Sequence, residues 1–185
     1  MIYLTSDLHL CHNNILTIEP EARPFRNIEE HDSTLIDNWN KTISPIDEVY
    51  VVGDFIMGEA ENVERIIPRL NGKEIHLIRG NHDTDSKCKK YEELGISVSD
   101  IKCIQYKGLY FILCHFPIQN LDFWKMVTGR RNANSTFLCY GHVHSYAPEG
   151  FHKETGTYHI GVNTNNLYPI SLEKIYQDIV RATAN

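Results

Sequence analysis

Five apolar runs in this chain stop on residues able to bind a cation, and that repeated ending constrains the fold more than any other feature. The plainest is Val49-Tyr50-Val51-Val52-Gly53-Asp54. An unbroken β-branched and aromatic run bounded by a turn signal reads as a strand buried on both faces. Asp54 then lies at the carboxyl end of that strand, the edge where open α/β sheets bind ligands. The same ending recurs. Ile2 to Ser6 runs into Asp7-Leu8-His9, and Glu74 to Arg79 runs into Gly80-Asn81-His82-Asp83. Leu109 to Cys114 ends on His115, and Thr136 to Tyr140 on Gly141-His142-Val143-His144.

Helical patterns separate the early strands. Asn27 reads as an N-cap with Glu30 three residues on, as in a capping box. Ile28, Leu35, Ile36, Trp39 and Ile43 follow helical spacing until Pro45. Val63, Ile66, Ile67 and Leu70 mark a second helix, closed by Asn71-Gly72. A polar helix is expected over 85–94, and Ser171 caps a last one with Leu172, Ile175, Ile179 and Val180 on its apolar face. Residues 10–26 read as irregular. Residues 96–114 hold two or three strands with a turn at Lys107-Gly108, and Thr157 to Val162 is one more. Strand–helix alternation followed by a strand-rich half suits two packed sheets with helices outside.

The 185 residues suit a single domain, 1–185, with one sizeable core. A hydrophobic fraction of 42% and a net charge of −6 describe an ordinary globular chain. No basic excess exists to release counterions, so there is no strong sign of nucleic-acid or anionic-membrane binding. A phosphate substrate is not excluded, because bound metal inverts the local field. The five cysteines, Cys11, Cys88, Cys103, Cys114 and Cys139, form no C-x-x-C pair and are odd in number. That argues against a disulfide framework and for a reducing, cytoplasmic location. No apolar run approaches a membrane span, and the first strand leaves no room for a signal segment.

Each strand end alone has an ordinary reading: a capping Asp, a polar turn, a core His. On an extended backbone residues two apart point to the same side, which would pair Asp7 with His9 and His142 with His144; together the five ends bring Asp7, His9, Asp54, Asn81, His115, His142 and His144 to one edge. These are nitrogen and oxygen donors without sulfur. Two metals sharing one carboxylate need about this many ligands, with positions left for water and substrate. His82 is placed to exchange a proton, with Asp83 to orient it or raise its pKa.

The blocks Asp7-x-His9, Gly53-Asp54, Gly80-Asn81-His82-Asp83, His115 and Gly141-His142-x-His144 stand in the order of the calcineurin-like metallophosphoesterases, and the chain resembles that superfamily. Arg23-Pro24-Phe25, with Gly161-Val162-Asn163 and Pro169-Ile170-Ser171-Leu172-Glu173, is similar to its small bacterial and phage phosphoesterases. The resemblance implies an α/β fold, a four-layered αββα sandwich of two mixed sheets flanked by helices. It implies two divalent metal ions, one on Asp7, His9, Asp54 and His144, the other on Asp54, Asn81, His115 and His142. Mn, Fe, Zn, Ni and Co all suit such donors, with manganese favoured. It further implies that a hydroxide held between the metals attacks phosphorus, and that His82 stabilises the developing charge or protonates the leaving oxygen, with Asp83 behind it. Cys11 stands where small relatives usually have Gly, and Asn163 where they often have Asp.

The expected activity is hydrolysis of a small phosphate ester or nucleotide, a phosphodiester in preference to a monoester. The Ser/Thr protein phosphatases of the superfamily carry Gly-Asp-x-Val-Asp-Arg-Gly, whereas this chain has Gly53-Asp54-Phe55-Ile56-Met57-Gly58. Arg23 and Arg26 are candidates to clamp a phosphate, since guanidinium matches it bidentately; His12, three residues after His9, could reach the substrate, with a plain surface residue as its ordinary reading. The loop 116–135, with Phe123, Trp124, Arg130 and Arg131, is a second candidate substrate surface or an oligomer contact. The alternative function is a non-catalytic metal-binding scaffold of the same fold that binds a partner protein.

Overall fold

The computed structural model of the protein describes residues 1–118, 135–148 and 150–184, so Phe123, Trp124, Arg130 and Arg131 lie outside the described residues. One five-stranded sheet is built from β1 (Ile2–Thr5), β2 (Glu48–Val52), β3 (Glu74–Ile78), β4 (Ser97–Ser99) and the last strand, β10 (Ile170–Ser171), in the order β10-β1-β2-β3-β4. β1 to β4 run parallel and β10 joins β1 antiparallel. The second sheet contains β5 (Lys102–Tyr106), β6 (Leu109–Leu113), β7 (Thr136–Tyr140), β8 (Gly150–His152) and β9 (Thr157–His159), in the order β5-β6-β7-β9-β8. Its central strands β6, β7 and β9 are parallel, and both edge strands are antiparallel.

β2 shows why its sequence is apolar without alternation. Val49 and Val51 pack toward one core, with Leu35, Ile36 and Trp39 of α2 (Ile28–Thr42), Val63 and Ile66 of α3 (Glu61–Ile66) and Tyr91 of α4 (Asp85–Glu93). Tyr50 and Val52 face the opposite way, onto Phe111, Leu113, Phe137 and Cys139 of the second sheet. A strand buried on both faces has no polar side to spare. The architecture is thus mixed α/β: helices, a mixed sheet, a second mixed sheet, and the C-terminal α5 (Leu172–Thr183) packed against β1 and β8.

The Asn27 side chain accepts from the Glu30 amide, as a cap should, but the Glu30 carboxylate reaches the Arg26 amide and not Asn27. α3 stops at Ile66 and tightens into a 3₁₀ turn over Ile67–Arg69, where Pro68 removes a donor. Leu172, Ile175 and Ile179 of α5 are buried while Val180 is 41% exposed, which narrows the expected apolar face. A short helix, Ile15–Ile18, interrupts the stretch expected to be irregular. β8 and β10 are too short to carry a period-2 signal, and β9 is shorter than expected. All five cysteines are free. Among the described residues no helix is long and apolar enough to cross a membrane.

Candidate metal centre

Parallel strands put their carboxyl ends on one edge, and here two sheets do so side by side. β1, β2 and β3 deliver Asp7 and His9, Asp54, and Asn81, while β6 and β7 deliver His115, and His142 and His144. All seven expected ligand residues meet there. Asp7, His9 and His144 bring ligand atoms within 4.8 Å of one another, and so do Asp7, Asp54 and His115. Asp54 Oδ2 faces both sides of the cluster, 3.6 Å from His9 Nε2 and 3.4 Å from His115 Nε2. Asn81 Oδ1 lies 3.0 Å from His115 Nε2 and 2.9 Å from His142 Nδ1.

The backbone achieves this by a route different from the expected extended one. Asp7, His9, Asp54, His142 and His144 all have positive φ, between 48° and 72°. For residues with a Cβ this left-handed conformation costs about 1–2 kcal/mol each, and it persists only where the surroundings impose it. The constraints are visible. The Asp7 amide donates to Gly53 O and the His9 amide to Asp54 O. The His142 amide donates to both oxygens of Asp7, at 3.0 Å. Gly141 permits that approach, since a Cβ there would stand 1.8 Å from Ser6 Oγ and 2.3 Å from Asp7 Oδ2. Gly80 is equally tight, its missing Cβ being 2.4 Å from Asp54 Oδ1.

The candidate ligand side chains are oriented from behind. His82 N–H holds Asp54 Oδ1 at 2.9 Å, which turns Oδ2 toward the imidazoles. His115 Nδ1 bonds the Val52 carbonyl at 2.9 Å, which leaves Nε2 with its lone pair toward the cluster. Ser6 Oγ lies 2.7 Å from Asp7 Oδ2 and 2.6 Å from Val52 O.

Electrostatics describe a cluster suited to a cation. Burial pushes the Asp7 carboxyl up to about 6, against the pull of His115 and Ser6. Burial alone would raise Asp54 too, but the hydrogen bond and charge of His115, with the His82 amide and His9, hold it far below its ordinary value. Burial depresses His144 to about 4, helped by Arg23, and lowers His9 and His142 as well. His115 is the exception: burial pulls it down, yet Asp54 and Asp7 raise it above the ordinary value. His9 Nε2 and His144 Nδ1 are buried without a hydrogen-bond partner. Unpartnered imidazole nitrogen beside carboxylate, with no sulfur among the donors, fits divalent metal.

Three residues stand differently from expectation. Arg23 is 1% exposed and does not face a substrate. Its guanidinium donates to Asp7 O, to Leu8 O and to Asn163 Oδ1, and meets His31 Nε2, so it braces the first ligand loop from inside. Arg26 lies at the surface, paired with Glu30 four residues on. Asp83 does not hold the His82 ring. Its Oδ2 accepts from the Asp54 and Gly80 amides, at 2.8 and 2.9 Å, so it ties the second and third ligand loops together. The His82 side chain is exposed, its ring edge-on to His9 at 5.5 Å between centroids.

One further participant, Lys87, escapes the sequence, and another, His12, reads there mainly as a surface residue. Lys87, 3% exposed, donates to Ile56 O and His82 O and so pins the His82 backbone. On a polar helix nothing marks it out. His12 is drawn into the cluster, Nδ1 to Nδ1 with His9 at 3.1 Å. Its spacing of three from His9 was the available signal.

Comparison with known proteins agrees with this geometry. The model of the calcineurin-like phosphoesterase superfamily domain matches residues 1–162. An uncharacterized protein of Methanocaldococcus jannaschii is 35% identical over 180 residues, which covers 94% of this chain and 88% of that one. The gene 66 protein of Mycobacterium phage L5 is 31% identical over 83 residues, 44% of this chain and 39% of its own. The crystal structure of a protein of unknown function from Aquifex aeolicus superposes with a TM-score of 0.68 at 29% identity, covering 96% of this chain and 98% of that one.

Proposed function

The chain belongs to the calcineurin-like phosphoesterase superfamily, and on that premise we propose that it is a metal-dependent hydrolase of small phosphate esters, phosphodiesters before monoesters. The observation that carries the proposal is Asp54 Oδ2, set between His9 Nε2 and His115 Nε2 at 3.6 and 3.4 Å. One carboxylate oxygen facing two imidazoles from different sheets supports reading Asp54 as a ligand shared by two cations. In this reading Asp7, His9, Asp54 and His144 hold one ion, and Asp54, Asn81, His115 and His142 the other. Bound there, the ions would lower the pKa of a bound water and offset charge on the phosphoryl oxygens.

The chain's own residues supply position and protons. Asp83 and Lys87 fix the backbone on either side of His82, and the exposed His82 imidazole lies where it can stabilise the developing negative charge or protonate the leaving oxygen. Preference for a diester rests on space. A hollow of about 510 Å³ is lined by Ile18, Glu19, Pro20, Ser145 and Tyr146, the last two being the residues that follow His144 in the chain. A diester has a second ester arm to place in it, and Tyr146, 88% exposed, offers that arm an aromatic face.

The test is hydrolysis of a bis-aryl phosphate diester against an aryl monoester, with Mn²⁺ and with chelator. Metal-dependent cleavage of the diester, faster than of the monoester, is expected. Monoester cleavage alone would overturn the diester preference. No cleavage of either by protein holding two ions would favour the partner-binding scaffold.

A further inference from the structure

His12 is half-buried against His9, with ring centroids 5.1 Å apart, planes tilted 24° and the two Nδ1 atoms at 3.1 Å. The nitrogens are far closer than the ring centres, so the rings meet edge to edge, along the line on which imidazole N–H groups and lone pairs point. One nitrogen must donate and the other accept. The choice is forced by the far side of His9. There Nε2 is buried without a hydrogen-bond partner, 3.6 Å from Asp54 Oδ2, and His9 groups with Asp7 and His144. To bind a cation Nε2 must keep its lone pair, so the neutral His9 ring carries its proton on Nδ1. His9 is then the donor and His12 Nδ1 the acceptor. The His12 proton accordingly sits on Nε2, across the ring from His9. His82 lies 6.2 Å from His12 between centroids, and its side chain is exposed.

We infer that His12 is a positioning residue for His9 and a donor to the substrate's phosphoryl oxygen: its Nδ1 locks His9 in the tautomer that holds a cation, and its Nε2–H faces the substrate beside His82. The inference rests on the metal-centre reading. It also supplies a phosphate contact that neither the internal Arg23 nor the Glu30-paired Arg26 provides. An outer partner of this kind typically changes metal affinity by about 10–100-fold.

The experiment reads tautomers and affinity separately from turnover. Long-range ¹⁵N–¹H spectra of histidine-labelled protein, metal-free and Zn²⁺-loaded, should show His9 protonated on Nδ1 and His12 on Nε2, with the His9 Nε2 signal moving on loading. In Mn²⁺ titrations His12→Phe should bind about tenfold or more weakly. His12→Gln, whose amide can accept from His9 and still donate outward, should restore most of the affinity. At saturating Mn²⁺, His12→Phe should raise KM for the diester about tenfold with a smaller change in kcat. A His12 protonated on Nδ1, or wild-type affinity in His12→Phe, overturns the inference while leaving the metal centre standing. Wild-type protein that binds no ion overturns the metal centre, and the role of His12 with it.

Discussion

Asp54 is held by an amide on one oxygen and faces two imidazoles with the other, so its substitution should be more damaging than that of any other candidate ligand. Asp54→Asn keeps the size but weakens the oxygen, and loss of both metal loading and turnover is expected by elemental analysis and diester assay. Full metal content in the variant would contradict a shared ligand. The His82 ring meets the candidate ligands only edge-on, at His9, so His82→Ala should retain the metals while turnover falls about 10²–10⁴-fold, the usual contribution of a positioned proton donor. Loss of metal from it would make His82 a ligand. His159 offers a residue-scale test away from the ligands. It is fully buried, stacked on Tyr140, and neither ring nitrogen makes a hydrogen bond of ordinary length among the described residues. Burial pushes its pKa down to about 4, partly offset by the Pro148 carbonyl. The unfolded chain therefore binds the proton more readily, so the stability tied to a neutral His159 is present above about 6.5 and is lost as pH falls toward 4. The full effect is roughly 3 kcal/mol. His159→Phe should flatten the fall of Tm between pH 7 and pH 4.5, and an unchanged pH slope would contradict the assignment.

At this scale the sequence spoke clearly about which donors meet at the strand ends and poorly about what supports them. A ligand announces itself by type and by its place after an apolar run. Arg23 as an internal brace depends on Asn163, 140 residues away, and on His31, and no local pattern encodes either contact. Asp83 was read as the neighbour of His82, but the turn sends its carboxylate back to the Asp54 and Gly80 amides.

Among the elements, the strand ends carry the strain and hence the precision of the site. Period-2 reasoning placed Asp7 with His9, and His142 with His144, on common sides; Asp7 and His9 do converge, through left-handed residues, whereas His144 joins them and His142 turns to Asn81. Periodicity cannot see this, because the φ values are set by amides and carbonyls of the neighbouring ligand loops. Cys11 shares the conformation, with φ 65°. Cys11→Gly should therefore be tolerated, whereas Cys11→Val, β-branched, should cost about 1–2 kcal/mol more by thermal unfolding. Equal stability of the two would show that the loop relaxes. Gly141→Ala is the severe case: its methyl would lie 1.8 Å from Ser6 Oγ, and metal binding should be lost even where the fold persists. The helices were legible where spacing and caps agree, as over Ile28–Thr42. The short edge strands β8 and β10 exist only through their neighbours.

For the whole molecule, two sheets pressed together form one polar edge whose donors depend on pH in opposite senses. His9, His142 and His144 are depressed by burial, so their contribution to the metal-free fold is lost as pH falls below about 6.5. Asp7 is raised to about 6, so its contribution is present at low pH and is lost as pH rises through that value. A divalent cation reverses the second effect by replacing the proton on Asp7. Added Mn²⁺ should accordingly raise Tm more at pH 7.5 than at pH 5.5, approaching about 2.7 kcal/mol of stabilisation at a hundredfold excess over Kd. An equal shift at both pH values would mean that Asp7 is no ligand.

The most direct test of the account is to titrate Mn²⁺ into metal-free protein while recording both bound metal and hydrolysis of a bis-aryl phosphate diester. Activity that rises to a plateau at two ions per chain, disappears with chelator and is absent from Asp54→Asn is the predicted result. Hydrolysis indifferent to chelator, or two bound ions without hydrolysis of any phosphate ester, would contradict it.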